Sequence, residues 1–232
     1  MYKARNGSRE ISVTALFCTL NEADNLPYVL PKIPLWVDEV IIVDGHSTDH
    51  TVEVATRLWP GARILYQPSK GKGDAIRYGM QMATGDITII LDADCSTNPE
   101  EMHSFIDPLL DGYDFVKGSR FLPGGGTADM PLYRRLGDHA LTALVNLLFD
   151  ARYTDLTYGY KAFWTKAVRN LTLQADGFEI EVELDIRALQ AGLKFGAVPS
   201  FEYPRKHGSG KLSTIRDGFR FLGTIARVLL QR

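Results

Sequence analysis

The chain is expected to fold as a single α/β domain, a mostly parallel central sheet flanked by helices, on three observations. Short β-branched apolar runs alternate with helical patterns through the first half, as in strands joined by crossover helices. A length of 232 residues suits one large domain better than two small ones. No linker, internal repeat or low-complexity tract divides the sequence.

Strands are expected at Ile11–Leu20, Glu39–Asp44, Ala62–Gln67, Ile87–Asp92 and Phe115–Lys117. After the fourth, Asn98-Pro99-Glu100-Glu101 reads as a helix start, with Asn98 as cap, Pro99 at the first helical position and Glu101 completing a capping box. That helix should run to about Leu110. Residues Leu122 to Pro131 hold three consecutive glycines, the composition of a mobile loop, and a helix from Leu132 to Phe149 follows. Next come an aromatic stretch, Tyr153 to Trp164, a helix beginning near Glu179, and a short strand at Phe195–Val198. Tyr153, Tyr158, Tyr160, Phe163 and Trp164 are expected mostly in the core, though Tyr158 and Tyr160 flank Gly159 and could line a binding site. Ser213 to Leu230 places Ile215, Phe219, Leu222, Ile225 and Leu229 on one helical stripe, with Arg216, Arg220 and Arg227 elsewhere on the helix. Residues 1–212 thus form the main domain. Residues 213–232 form an amphipathic basic helix, either packed on that domain or lying at a membrane surface.

Composition narrows the function classes. A hydrophobic fraction of 45% and a charged fraction of 23% describe an ordinary globular protein. The net charge of -2 argues against a nucleic-acid binder, which needs a basic excess. From Arg205 onward, however, seven basic residues face one acidic residue, so a tail of +6 follows a body of -8. This asymmetry points to an anionic partner at one end. The two cysteines form neither a disulfide framework nor a zinc spacing, so a cytoplasmic setting is expected, with peripheral membrane contact through the tail. Met1 to Glu10 lacks the apolar core of a signal peptide, and no window offers about 18 uninterrupted apolar residues for a membrane span.

Ligands of open α/β sheets bind beyond the carboxyl ends of the strands. There Asp92-Ala93-Asp94 projects two carboxylates, hard oxygen ligands that suit Mg²⁺ or Mn²⁺ shared with a substrate phosphate; turn or capping aspartates are the plainer reading. Leu20-Asn21-Glu22 stands where a dinucleotide-binding oxidoreductase would carry its glycine fingerprint, which argues against hydride transfer. Glu22 and Asp44 can accept hydrogen bonds from ribose hydroxyls and base N–H groups, whereas Asp49 is equally an N-cap. Lys70-Gly71-Lys72-Gly73 joins positive charge to a helix start, favourable to a nucleotide phosphate or base but without P-loop spacing. The five histidines show no ligand spacing, and His207 reads as a loop or contact residue.

Taken in order, Leu20-Asn21-Glu22, Val43-Asp44-Gly45-His46-Ser47-Thr48-Asp49, Gly71-Lys72-Gly73-Asp74-Ala75, Leu91-Asp92-Ala93-Asp94, Gly118-Ser119-Arg120-Phe121, Thr154-Asp155-Leu156-Thr157 and Gly208-Ser209-Gly210-Lys211-Leu212 resemble family-2 glycosyltransferases. The likeness spans about Val13 to Leu212 and is greatest to dolichyl or polyprenyl phosphate mannose synthases. It implies a GT-A fold, which is Rossmann-like, with inversion at the anomeric carbon and Mg²⁺ or Mn²⁺ on Asp92 and Asp94. It also implies a nucleotide site drawn from Leu20, Asn21, Glu22, Asp44, Lys72, Asp74, Asp92, Ala93 and Asp94. Arg120, Arg134, Arg205 and Lys211 would face the donor diphosphate and the acceptor phosphate, work that suits guanidinium groups.

Four departures matter. Gly45 replaces a second aspartate, His46 replaces a glycine, and Gly210 replaces a serine. Glu181 stands where the mannose synthases often have glutamine. A lipid phosphate attacks without a general base whereas a hydroxyl needs one, so Glu181 separates the two acceptors. Acidic residues in a helix's first turn are also favoured by the dipole alone, which would account for Glu179, Glu181 and Glu183. The candidate catalytic set is Asp94, Arg120, Glu181 and Glu183.

The resulting expectation is a hexosyltransferase using a GDP- or UDP-hexose, with mannose from GDP-mannose first, and a polyprenyl or dolichyl phosphate acceptor. A homo-oligomer or a separate membrane-anchor subunit is compatible with it. The alternatives are a soluble transferase with a hydroxyl acceptor and Glu181 as base, a sugar nucleotidyltransferase, and a non-catalytic nucleotide-sugar-binding subunit.

Overall fold

The structure is a computed structural model describing residues 2–3, 10–128 and 130–231. Most of the polar stretch Met1 to Glu10, residue 129 of the glycine-rich loop, and Arg232 of the basic tail lie outside the described residues.

Seven strands form the central sheet: β1 (Val13–Thr19), β2 (Glu39–Asp44), β3 (Arg63–Tyr66), β4 (Ile87–Asp92), β5 (Phe115–Ser119), β6 (Lys161–Trp164) and β7 (Phe195–Pro199). Their order is β7-β5-β6-β4-β1-β2-β3. All neighbours run parallel except β6, which lies antiparallel between β4 and β5. The helices of two turns or more are α1 (Thr51–Leu58), α2 (Lys72–Met82), α3 (Met102–Leu110), α4 (Leu132–Phe149), α5 (Ile180–Gln190) and α6 (Thr214–Leu230).

Successive strand residues enter opposite layers, as pleating requires. In β1, Ala15 and Phe17 join the core under α3, while Leu16 joins the core under α2 and α5. Helices on both faces explain why β1, β2 and β4 are mostly apolar on both sides. β6 escaped the sequence reading because four residues beginning with lysine inside an aromatic run carry no strand pattern. Its aromatic neighbourhood is core, as expected: Tyr153, Tyr158, Tyr160 and Phe163 are buried. Tyr158 and Tyr160 are almost wholly enclosed, their hydroxyls contacting Ser200 Oγ and the Asn98 carbonyl respectively.

Other local expectations need correction. Asn98 does cap, accepting from Glu100 N at 3.2 Å, but a 3₁₀ turn at Pro99–Glu101 precedes α3. Glu101 makes no capping box; its carboxylate accepts from Ser200 Oγ at 2.5 Å. The glycine-rich loop carries a short ribbon, Gly126–Thr127 parallel to Phe201–Glu202. A Cβ at Gly126 would meet the Phe201 ring at 2.8 Å, so the glycine serves close packing.

In α6 the packed residues are Asp217, Phe221, Thr224, Ile225 and Val228, whereas Ile215 and Phe219 are 76% and 72% exposed. The expected stripe is therefore split. Asp217 sets the rotation: it is fully buried, accepts from Ser213 N at 2.7 Å and pairs with Arg220 at 3.4 Å. Nor are all the arginines solvated, since Arg227 reaches Glu183 on α5 at 2.9 Å. Among the described residues, no helix is long and apolar enough to cross a membrane.

Candidate active site

β4 delivers Asp92 to the carboxyl edge of the sheet. Ala93 turns inward, only 3% exposed, so Asp94 returns to the same side as Asp92. Their side chains are 29% and 20% exposed. Each is held by one cation: Asp92 Oδ1 by Lys72 Nζ at 2.6 Å, and Asp94 Oδ2 by Arg205 Nη2 at 2.8 Å. Asp94 Oδ1 also accepts from Ser96 N and Oγ, at 3.0 and 2.6 Å. Burial pushes the Asp92 carboxyl up; Lys72 opposes this, while Asp94 and Glu181 add to it. Among the described residues, no donor reaches Asp92 Oδ2 and no group of three or more metal-ligating side chains occurs. Two crowded carboxylates at an open rim, one with a free oxygen, fit a divalent ion whose other ligands come from water and phosphate.

Below the couple lies a chain of alternating charge. Lys72 opens α2 and reaches Glu181 Oε1 at 2.9 Å as well as Asp92. Glu181 Oε2 lies 2.8 Å from Lys161 Nζ, Lys161 lies 2.8 Å from Asp185 Oδ1, and Asp185 Oδ2 lies 2.7 Å from Lys117 Nζ. The Glu181 contacts are charge pairs rather than aligned hydrogen bonds. Burial alone would raise the Glu181 carboxyl, but Lys161 and Lys72 outweigh it and bring it down to about 2. Burial likewise opposes the Lys72 charge, yet Asp92 and Glu181 hold its ammonium well above the usual range.

Loops after β1 and β2 are tied to each other and to residues 203–211. Asn21 Oδ1 accepts from Thr48 N at 2.8 Å, and Asn21 N donates to Ser47 Oγ at 2.8 Å. Glu22 is 5% exposed and accepts from Asn25 Nδ2 and Arg205 Nη1, while Lys211 Nζ reaches both Glu22 and the Leu20 carbonyl. Asp49 accepts from Thr51 N and Ala23 N, bridging the two loops. His207 donates its backbone N–H to Asn25 Oδ1 and stacks on Tyr28, in agreement with a loop role.

Several expected ligand contacts are otherwise engaged. Asp44 is fully buried and accepts from Thr19 Oγ1, Ser47 N and Ser47 Oγ, so it organises the turn after β2. Asp74 accepts from Ser69 N at 2.7 Å. Gly71 and Gly73 serve packing, since a Cβ on either would lie about 2 Å from a carbonyl at residues 175–176.

Arg120 does not face the cleft. Its side chain is 1% exposed, Nε and Nη2 fork onto Asp155 at 2.7 and 2.8 Å, and Glu202 lies 3.1 Å from Nη1. Asp138 stands behind it at 3.9 Å. Glu183, two positions beyond Glu181 on α5, points to the opposite side, where it accepts from Gln174 N and Ala175 N and pairs with Arg227. Its carboxylate anchors a loop and α6. Arg134 remains half-buried and without an ionic partner among the described residues, in the lining of a groove between α4 and α6. The sequence reading missed Lys117, Lys161, Asp185 and Asp138. Lysines inside apolar strand runs were the available signal.

Comparison with known proteins adds a second line of information. The family description "Glycosyl transferase family 2" matches residues 14–172. The glycosyltransferase AglJ of Haloferax volcanii is 33% identical over 216 residues, covering 89% of this chain and 68% of that protein. A dolichyl-phosphate hexose transferase of the same organism is 30% identical over 92% of both chains. An undecaprenyl-phosphate mannosyltransferase of Micrococcus luteus is 29% identical over 87% of both. Among solved structures, glucosyl-3-phosphoglycerate synthase of Mycobacterium tuberculosis, in complex with Mg²⁺ and UDP, superposes with a TM-score of 0.76. It is 22% identical and the match covers 94% of this chain and 79% of that one, a likeness of fold.

Proposed function

The chain belongs to glycosyl transferase family 2, with a GT-A-like fold, and from that premise we propose that it transfers a hexose from a nucleotide diphosphate to polyprenyl or dolichyl phosphate. Mannose from GDP-mannose is the donor to test first, in keeping with the mannosyl relative.

The observation that carries the choice of acceptor is Glu181, fixed between Lys72 and Lys161 at 2.9 and 2.8 Å. A carboxylate drawn down to about 2 by two ammonium groups is a poor acceptor for a hydroxyl proton. An acceptor that arrives as a phosphate anion needs no such base. Its oxygen can attack the anomeric carbon directly, opposite the departing diphosphate.

Asp92 and Asp94 would hold Mg²⁺ or Mn²⁺, which when bound offsets the charge building on the leaving diphosphate. Lys72 stays beside the couple to support the same charge. Arg205 and Lys211, on the loop that crosses the cleft, can turn from Glu22 and Asp94 towards phosphate oxygens. Leu141, Leu144, Leu212, Ile215 and Phe219 line the groove of about 520 Å³ between α4 and α6. An apolar trough with Arg134 in its lining suits an isoprenoid chain whose phosphate enters the cleft. The exposed Leu132, Tyr133 and Leu136 on α4 and Ile215 and Phe219 on α6 support contact with the cytoplasmic face of a membrane.

The test is incubation with a panel of nucleotide sugars and Mn²⁺, with and without polyprenyl phosphate. Release of GDP accelerated by the lipid phosphate is expected. Turnover only on addition of pyrophosphate, giving a nucleoside triphosphate and a sugar 1-phosphate, would instead indicate a nucleotidyltransferase, and turnover only with a hydroxyl acceptor, abolished by Glu181→Gln, would overturn the phosphate reading.

A further inference from the structure

Three lysines and three carboxylates balance beneath the cleft: Lys117, Lys161 and Lys72 against Asp185, Glu181 and Asp92. Burying ionised groups is costly, and a well-packed apolar set would often serve stability as well. The order of the groups supplies another reason for them. Lys72 has two carboxylate partners, and only Asp92 belongs to the acidic couple. Glu181 cannot turn away from Lys72, because its other oxygen lies on Lys161. Lys161 is in turn fixed by Asp185 at 2.8 Å, by the Glu181 carbonyl at 3.1 Å, and by the register of β6 opposite Ile90 and Lys117.

We propose, resting on the reading of Asp92 and Asp94 as a divalent-cation couple, that Glu181 is a second berth for the Lys72 ammonium and Lys161 is the positioning residue that maintains it. When a divalent ion takes Asp92, Lys72 keeps one carboxylate partner and remains at the cleft floor. Metal entry then exchanges one partner of Lys72 rather than stranding a buried charge, an outcome that would cost several kcal/mol. Lys161 touches neither ion nor substrate and acts only through Glu181.

The test is titration of the full chain with MnCl₂, reading free Mn²⁺ by electron paramagnetic resonance with no donor or acceptor present. Lys161→Met combined with Glu181→Leu removes one lysine and one carboxylate, leaving Lys117–Asp185 and Lys72–Asp92 as balanced pairs. Supporting-shell changes alter metal affinity by roughly 10–100-fold, so the Mn²⁺ Kd of this double variant is expected to rise about tenfold. Glu181→Gln keeps an oxygen for Lys72 and should stay within about threefold of the unmodified chain, while Lys72→Met, which removes the competing cation, should bind Mn²⁺ more tightly. A merely structural role would lower the thermal midpoint of the double variant and leave its Kd within about twofold, and that result overturns the proposal. Weaker Mn²⁺ binding by Lys72→Met overturns it as well. Because no sugar nucleotide is present, absent transferase activity with the expected Mn²⁺ pattern would sink the acceptor reading and leave the berth standing.

Discussion

Arg205 Nη2 lies 2.8 Å from Asp94 Oδ2, so a side chain from the loop before α6 neutralises a carboxylate just beyond the end of β4. The same guanidinium holds Glu22 at 2.9 Å. In this arrangement the acidic couple carries protein cations, with which a divalent ion would have to compete.

Replacing either aspartate of the couple with alanine should abolish metal-dependent transfer. A bound ion contributes several kcal/mol of charge stabilisation, so a loss of roughly a thousandfold in kcat/KM is expected from Asp92→Ala or Asp94→Ala. Assays at saturating Mn²⁺ check it; retention of most activity removes the metal assignment.

Arg120 and Arg134 should behave in opposite ways. Arg120→Met leaves Asp155, Asp138 and Glu202 clustered without their cation, and breaking a buried pair costs roughly 3–5 kcal/mol, read by urea unfolding. Arg134→Ala has no ion pair to lose and should leave the urea midpoint nearly unchanged while raising the KM for polyprenyl phosphate. Equal effects of the two changes on stability would contradict the placement of Arg120.

Asp138 predicts a pH dependence. Burial pushes its carboxyl up to about 6, with Asp155 adding to the effect and Arg120 opposing it, and its Oδ2 has no hydrogen-bond partner. A carboxyl whose folded value exceeds its unfolded one stabilises the fold while protonated. That contribution is complete below about pH 4 and is lost as the pH rises through about 6. Asp138→Asn should flatten this slope and raise stability at pH 7 by up to about 3 kcal/mol. Glu181 has the opposite sign: its stability is lost as the pH falls from the ordinary carboxylate range towards about 2, so it does not mask this window. Unfolding curves at pH 4, 5, 6 and 7 decide the matter; parallel dependence in both proteins would refute it.

Ile215→Asp with Phe219→Asp should weaken co-sedimentation with anionic lipid vesicles without changing the melting temperature by more than about 2 °C, since both side chains face outward. Unchanged vesicle binding would remove α6 from any membrane contact.

What could be read from the sequence follows the range over which each feature is encoded. β2 and β4 matched to the residue because runs of β-branched and other apolar residues in them are buried from both faces. Asp92 and Asp94 were legible because two residues one apart on a strand end stay together in space. Lys72 and Glu181 were singled out too, but their meeting through Lys161 was not, because it depends on β6 reversing direction, which no local pattern announces. Arg120 sits in a legible motif, but its direction is set by Asp155 and Glu202, distant in the chain. The phase of α6 was missed for a related reason: a buried aspartate, Asp217, took a place that hydrophobicity assigns to an apolar residue.

The reversed strand Lys161–Trp164 also governs when the molecule can become whole during synthesis. It is the sole neighbour shared by β4 and β5, so until the ribosome has released it, the nascent chain holds a four-stranded piece of sheet with a bare edge at β4 and a β5 strand with nothing to pair with. A chain arrested before Lys161 would be prone to stick to other copies, and one extended just past Trp164 could bring β5 onto the sheet in a single step, leaving only β7 to be added.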